Sequence, residues 1–141
     1  MERLPASVIH TGRSEVKSVC VTPDTRLVLT ARDSSVKVFS LSSGECLQTL
    51  NGHTNDVNSI SITPDGSKVV TGSDDKTVKV FNITTGACLQ TITTGSGVWS
   101  VCITTDGLKI VAGLVNRTAH VIDFTSGTLL MTLTGHTDYV R

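Results

Sequence analysis

Four histidines and a paired carboxylate are the residues of this chain with the most obvious chemical potential. A metal site or an acid–base catalyst needs such groups to converge, with other His, Cys, Asp or Glu beside them. The histidines are His10, His53, His120 and His136. His53 and His136 each follow a glycine and stand 83 residues apart. That distance is two steps of a repeat described below, so the Gly-His pair reads as a repeated structural feature. His120 occupies the repeat position of Lys79, in a strand, and reads as solvent-facing or internally satisfied. Asp74-Asp75 falls in a tight turn that recurs, where capping and turn hydrogen bonds are the better reading. Thr93-Thr94-Gly95-Ser96-Gly97 is rich in glycine but lacks the Lys-Ser/Thr of a phosphate loop. Ser, His and Asp are all present, but nothing in their spacing assembles a nucleophile, its base and an oxyanion site. Cys20, Cys46, Cys88 and Cys102 form no C-x-x-C pair. They read as reduced thiols rather than as a zinc site or a disulfide frame. No enzyme, metal or cofactor is expected.

The elements that carry these residues form a repeat. Val16-Lys17-Ser18-Val19-Cys20-Val21-Thr22-Pro23-Asp24 returns 41 residues later as Val57-Asn58-Ser59-Ile60-Ser61-Ile62-Thr63-Pro64-Asp65. It returns again after 41 as Val98-Trp99-Ser100-Val101-Cys102-Ile103-Thr104-Thr105-Asp106. Val36-Lys37-Val38-Phe39 matches Val78-Lys79-Val80-Phe81, and Cys46-Leu47-Gln48-Thr49-Leu50 matches Cys88-Leu89-Gln90-Thr91-Ile92. The second copy predicts four short strands, near 57–62, 68–72, 77–81 and 88–92. They are separated by Thr63-Pro64-Asp65-Gly66, Asp74-Asp75-Lys76 and Thr84-Thr85-Gly86, where Pro presets φ and Asp and Gly supply the bends. Four antiparallel strands in about 40–45 residues describe one blade of a β-propeller. Along the first strand of each copy, small residues line one face: Ser18 and Cys20, Ser59 and Ser61, Ser100 and Cys102. Convergence of these strands on a central channel would favour small side chains there.

The chain has 141 residues, with 12 Lys and Arg against 12 Asp and Glu. It is long enough for a real core and rich in β-branched residues, which favour strands. Zero net charge argues against a general nucleic-acid binder and against a polybasic membrane binder. Residues 1–10 lack the apolar core of a secretory signal, and no run approaches a membrane span. A cytoplasmic protein, with a nuclear one as the variant, is the expectation.

Gly52-His53-Thr54, Pro64-Asp65-Gly66, Thr71-Gly72-Ser73-Asp74-Asp75 and Val78-Lys79-Val80-Phe81-Asn82 together resemble the tryptophan–aspartate (WD) repeat family. The resemblance covers roughly residues 7–141. It implies an all-β, partial propeller of about three four-stranded antiparallel blades, open unless completed by more. The repeats run over approximately 11–51, 52–93 and 94–134, with a further start at 135–141. The naming Trp-Asp pair is replaced by Phe39-Ser40, Phe81-Asn82 and Ile122-Asp123. The resemblance assigns His53, Thr71 and Asp75 to a hydrogen-bonded network within the blade. Phe81 stands where a donating Trp would be and fills volume instead. The first copy offers Thr30, Asp33 and Phe39, with His10 at a shifted spacing. The third has Thr94, Ala112, Asn116 and Ile122 and no full network, so a looser third blade is expected.

The resemblance also implies an interaction scaffold for other proteins or peptide segments. Its usual contact surface combines the loops before each first strand with the tight turns. Here that surface includes Glu15, Lys17, Arg32, Asn55, Asp56, Asn58, Asp74 and Trp99, with Gly97 and Tyr139 beside them. Lys17, Asn58 and Trp99 share one repeat position, so the repeat does not dictate their type. Trp99 is either an exposed anchor or packing for the third blade. The alternatives are a propeller holding a small molecule in its channel, and a chain that closes a ring with a second copy. Bare blade edges would favour self-association. The lone apolar stretch 6–9 and the incomplete repeat at 135–141 point to a segment of a longer protein.

Overall fold

The computed structural model describes residues 15–135. His10, the stretch 6–9, His136 and Tyr139 lie outside them. Twelve strands form three four-stranded antiparallel sheets, each in sequential order. The first blade holds β1 (Ser18–Val21), β2 (Leu27–Arg32), β3 (Ser35–Ser40) and β4 (Cys46–Leu50). The second holds β5 (Val57–Ile62), β6 (Lys68–Ser73), β7 (Thr77–Asn82) and β8 (Cys88–Thr93). The third holds β9 (Val98–Ile103), β10 (Lys109–Leu114), β11 (Ala119–Asp123) and β12 (Leu129–Leu133). The strands of the second blade fall within a residue of the spans its sequence predicts. The third blade keeps the full four-strand ladder although its network residues differ.

Side chains fix the turns locally. In the first turn of the second blade, the Thr63 hydroxyl donates to Asp65 Oδ1 at 2.7 Å, and the Ser67 N–H donates to the same oxygen at 3.0 Å. These donors, the Ser67 N–H foremost, pull the Asp65 carboxyl down to about 2. The contact recurs as Thr22 to Asp24 at 2.7 Å and Thr104 to Asp106 at 2.6 Å. In the turn from β7 to β8, Asn82 Oδ1 accepts the N–H groups of Thr84 and Thr85, each at 2.9 Å. Gly86 closes that turn at a φ of +78°, a conformation that glycine adopts without a Cβ penalty.

The core lies between blades. Leu29, Ala31, Val36, Val38 and Leu50 of the first blade pack on Val57, Ile60, Val69, Phe81 and Ile83 of the second. Val70, Val78, Val80 and Ile92 of the second pack on Val98, Val101, Ile110, Ala112, Leu114 and Ile122 of the third. A strand whose two faces both meet neighbouring blades shows little polar alternation, which explains the sequence Lys68–Ser73 with five buried positions in a row. The blades therefore stack in chain order as an open arc.

The small residues of the first strands have a more specific role than compact packing around a channel. Ser18 Oγ accepts the Ile60 N–H at 3.3 Å. Ser59 and Ser61 accept the N–H groups of Val101 and Ile103, each at 3.2 Å. Innermost strands have one edge unpaired within their own sheet, and the preceding blade's hydroxyls satisfy its donors.

Candidate interaction face

A rigid turn anchors the face that carries the candidate contact residues. His53 is buried just before β5. Its Nδ1 lies 2.7 Å from Asp75 Oδ2, and its Nε2 lies 2.5 Å from Thr71 Oγ1. Burial lowers the His53 pKa, Asp75 opposes this in part, and the net direction is down. The ring is thus neutral, with Nδ1–H donating to the carboxylate and Nε2 accepting the Thr71 hydroxyl. Asp75 also accepts the Thr54 N–H at 3.1 Å and the Thr77 N–H at 3.0 Å, together with the Thr77 hydroxyl. Burial pushes its carboxyl up, but the Thr77, His53 and Thr54 donors outweigh it and hold it below the usual range. Every good partner of this imidazole is already taken, so it is a strut rather than a proton shuttle. Phe81 sits with its ring centroid 6.3 Å from that of His53, tilted by 59°. It is fully buried in the first inter-blade core. The third blade uses Thr94 at the position of His53, where its hydroxyl reaches Lys76 O at 3.0 Å and Ser96 O at 2.8 Å.

Around these turns, a shallow cleft of about 340 Å³ is lined by Glu15, Val16, Lys17, Asn58 and Trp99. The three residues that share one repeat position therefore meet at one opening. A polar chain joins the blades beneath it. Lys17 Nζ lies 2.9 Å from Asp56 Oδ2 and 3.5 Å from Asn58 Oδ1. Asn58 Nδ2 donates to Asp74 Oδ1 at 2.7 Å and to Val98 O at 2.9 Å. The hydrogen bond to Asp56 holds the Lys17 ammonium above the ordinary lysine range. Trp99 is half-buried, so it is neither a free-standing anchor nor a core residue.

Not every candidate joins the cleft. Arg32 ends β2 at the first blade's tight turn, with its guanidinium 3.4 Å from the Asp33 carboxylate. Asn55 shapes its own loop, with Oδ1 accepting the Asp56 N–H at 2.8 Å and its carbonyl accepting the Ser73 hydroxyl at 3.1 Å. Val16 lines the cleft but carried no signal in the sequence, because its repeat equivalents Val57 and Val98 are fully buried. Among the described residues, no three His, Cys, Asp or Glu side chains are grouped to hold a metal ion. No helix there is long and apolar enough to cross a membrane.

Comparison with known proteins gives the same repeat. The family described as "WD domain, G-beta repeat" matches residues 6–40, 44–82 and 86–123. No curated protein matches the chain. Among solved structures, that of U3-55K superposes with a TM-score of 0.88 at 22% identity, over 94% of this chain and 43% of that one. The present chain thus spans less than half the length of that protein, and the likeness is one of fold.

Proposed function

The chain belongs to the WD-repeat family, whose repeats generally mediate protein–protein contacts, and from that premise we propose that it is a non-enzymatic scaffold segment. Its recognition surface is the face around Lys17, Asn58 and Trp99, and its partner is a peptide segment or loop of another protein. One observation carries this reading: a single repeat position supplies a cation, an amide and an indole to the same cleft. Equivalent positions with a structural duty keep their type, as the fully buried Val57 and Val98 do. Residues on a rigid scaffold but free of repeat constraint are suited to recognition. An indole lining a partly polar cleft offers the large contact area typical of binding anchors. The reading includes an intracellular setting, consistent with four free thiols.

The test pairs affinity capture from cell extract with a thermal-shift screen against small metabolites. Proteins captured by the wild-type chain and lost on Trp99→Ala or Asn58→Ala support the scaffold. Strong stabilisation by a metabolite, with no protein lost on those substitutions, contradicts it.

A further inference from the structure

The two inter-blade seams share one set of keys and sockets. From strand β4, Gln48 reaches the next blade's outer turn and donates to Thr84 O at 3.2 Å. From β8, Gln90 reaches the matching turn of the third blade; with its amide assigned to suit its neighbours, it donates to Phe124 O at 3.1 Å and accepts the Gly127 N–H at 2.9 Å. A proline is the second key. A Cβ on Gly66 would lie 3.3 Å from Pro23 Cδ, and one on Gly107 would lie 3.6 Å from Pro64 Cδ. The approach is tight at Gly66 and an ordinary contact at Gly107.

The outward face of the first blade carries a third, open socket. A cavity of about 580 Å³ there is lined by Thr25, Arg26, Leu27, Ser40, Leu41 and Ser42. Thr25, Leu41 and Ser42 are the repeat equivalents of Gly66, Ile83 and Thr84. Two apolar positions of that face are exposed, although Phe39, the equivalent of Phe81, is buried. Val19 is 64% exposed where Ile60 is 6% exposed, and Leu41 is 37% exposed where Ile83 is 2% exposed. The outward face of the third blade presents the matching half. Leu133 is 42% exposed where Leu50 is 1% exposed, and Ser100 stands where Ser18 and Ser59 accept a neighbour's N–H.

We propose that these two faces dock on each other between two copies of the chain, the third blade of one copy on the first blade of the other. The pairing follows the internal seams by repeat position. Ser100 accepts the N–H of Val19, and Leu133 covers Val16. The keys have changed together. Thr105 replaces the proline, and Thr25 replaces the glycine opposite it. Thr25 holds a φ of +60°, and at its repeat equivalent Gly66 an added Cβ would lie 3.3 Å from the preceding blade's proline. Loss of the proline makes room for the Thr25 Cβ. The other key is weaker, because Met131 stands in the place of Gln48 and Gln90 and cannot donate to Ser42 O. The contact is heterologous: two different surfaces meet, one from each copy.

Sedimentation equilibrium of the 141-residue chain, from low to high micromolar concentration, tests this. The expected average mass rises from 14.9 kDa to twice that value and, where the ring does not close, beyond it. Val19→Glu and Leu133→Glu each abolish the rise when alone, since every copy then lacks the same half. Mixed in equal amounts they restore a dimer, because one supplies the intact third-blade face and the other the intact first-blade face. Both sites are exposed, and an unchanged melting temperature of dilute protein checks that the variants fold. Met131→Gln tightens the association severalfold. A mass of 14.9 kDa at every concentration overturns the proposal. So does wild-type association that survives Val19→Glu, or a mixture of the two charged variants that stays monomeric.

Discussion

His53 is neutral in the folded chain, and its pH behaviour follows from that. Burial sets its pKa below the ordinary value of 6.5 despite the nearby carboxylate. As pH falls through 6.5, the unfolded chain takes up this proton more readily than the folded one. Stability therefore falls across the window between 6.5 and the lower folded value. Burial shifts His120 in the same direction, so it shares the effect. Asp75 has a depressed pKa, and its contribution is present above 3.8 and is lost as pH falls through the folded value. His53→Ala leaves Asp75 and Thr71 without their common partner at a buried site. We expect it to cost about 2 kcal/mol at neutral pH, and to flatten the stability profile below pH 6.5 while the share from His120 remains. Urea unfolding at a series of pH values checks both. A profile as steep as that of the wild type would contradict the protonation argument. At this scale the sequence was informative where the repeat constrained a residue and silent where it did not. Gly52-His53 and Asp75 are marked by their place in the repeat, whereas the half-burial of Trp99 depends on what surrounds it.

At the scale of the element, the strands were legible and the seams were not. Alternating β-branched residues and Pro-Asp-Gly or Thr-Gly turns place each strand of the second blade within a residue. Which strand touches which across a seam depends on the curvature of the arc, and no local pattern encodes that. The small residues of β1, β5 and β9 were visible as a stripe, but their service to the next blade's N–H groups required the neighbours to be in place. Gly72 is the tightest such point. A Cβ there would lie 2.5 Å from Val98 Cγ1 and 2.8 Å from Val101 Cγ1. Val98 is fully buried and has nowhere to retreat. Gly72→Ala is expected to destabilise by about 1–3 kcal/mol through overpacking, read as a lower urea midpoint. Adding Val98→Ala opens the space, so the double variant is expected to lose less than the sum of the two single losses. Additive losses would mean that the two side chains do not compete.

For the whole molecule, the repeat arithmetic already implied an arc of about three blades, and among the described residues the structure arranges it with two filled seams and outer faces on which Val19, Leu41 and Leu133 stand exposed. The same stacking aligns Lys17, Asn58 and Trp99 at one opening, although they lie 41 residues apart in sequence. Recognition on this account is a property of neighbouring blades together, since all three repeats supply side chains to the cleft. Trp99 is the chain's single tryptophan, so its fluorescence reports on that cleft without labelling. The most direct test is to titrate the chain with a protein or peptide captured in the affinity experiment and follow Trp99 emission. The account predicts a saturable shift in the emission of Trp99, weakened at least tenfold in apparent affinity by Asn58→Ala. Binding that saturates by an independent method while Trp99 emission stays unchanged, and that tolerates Asn58→Ala, would contradict it.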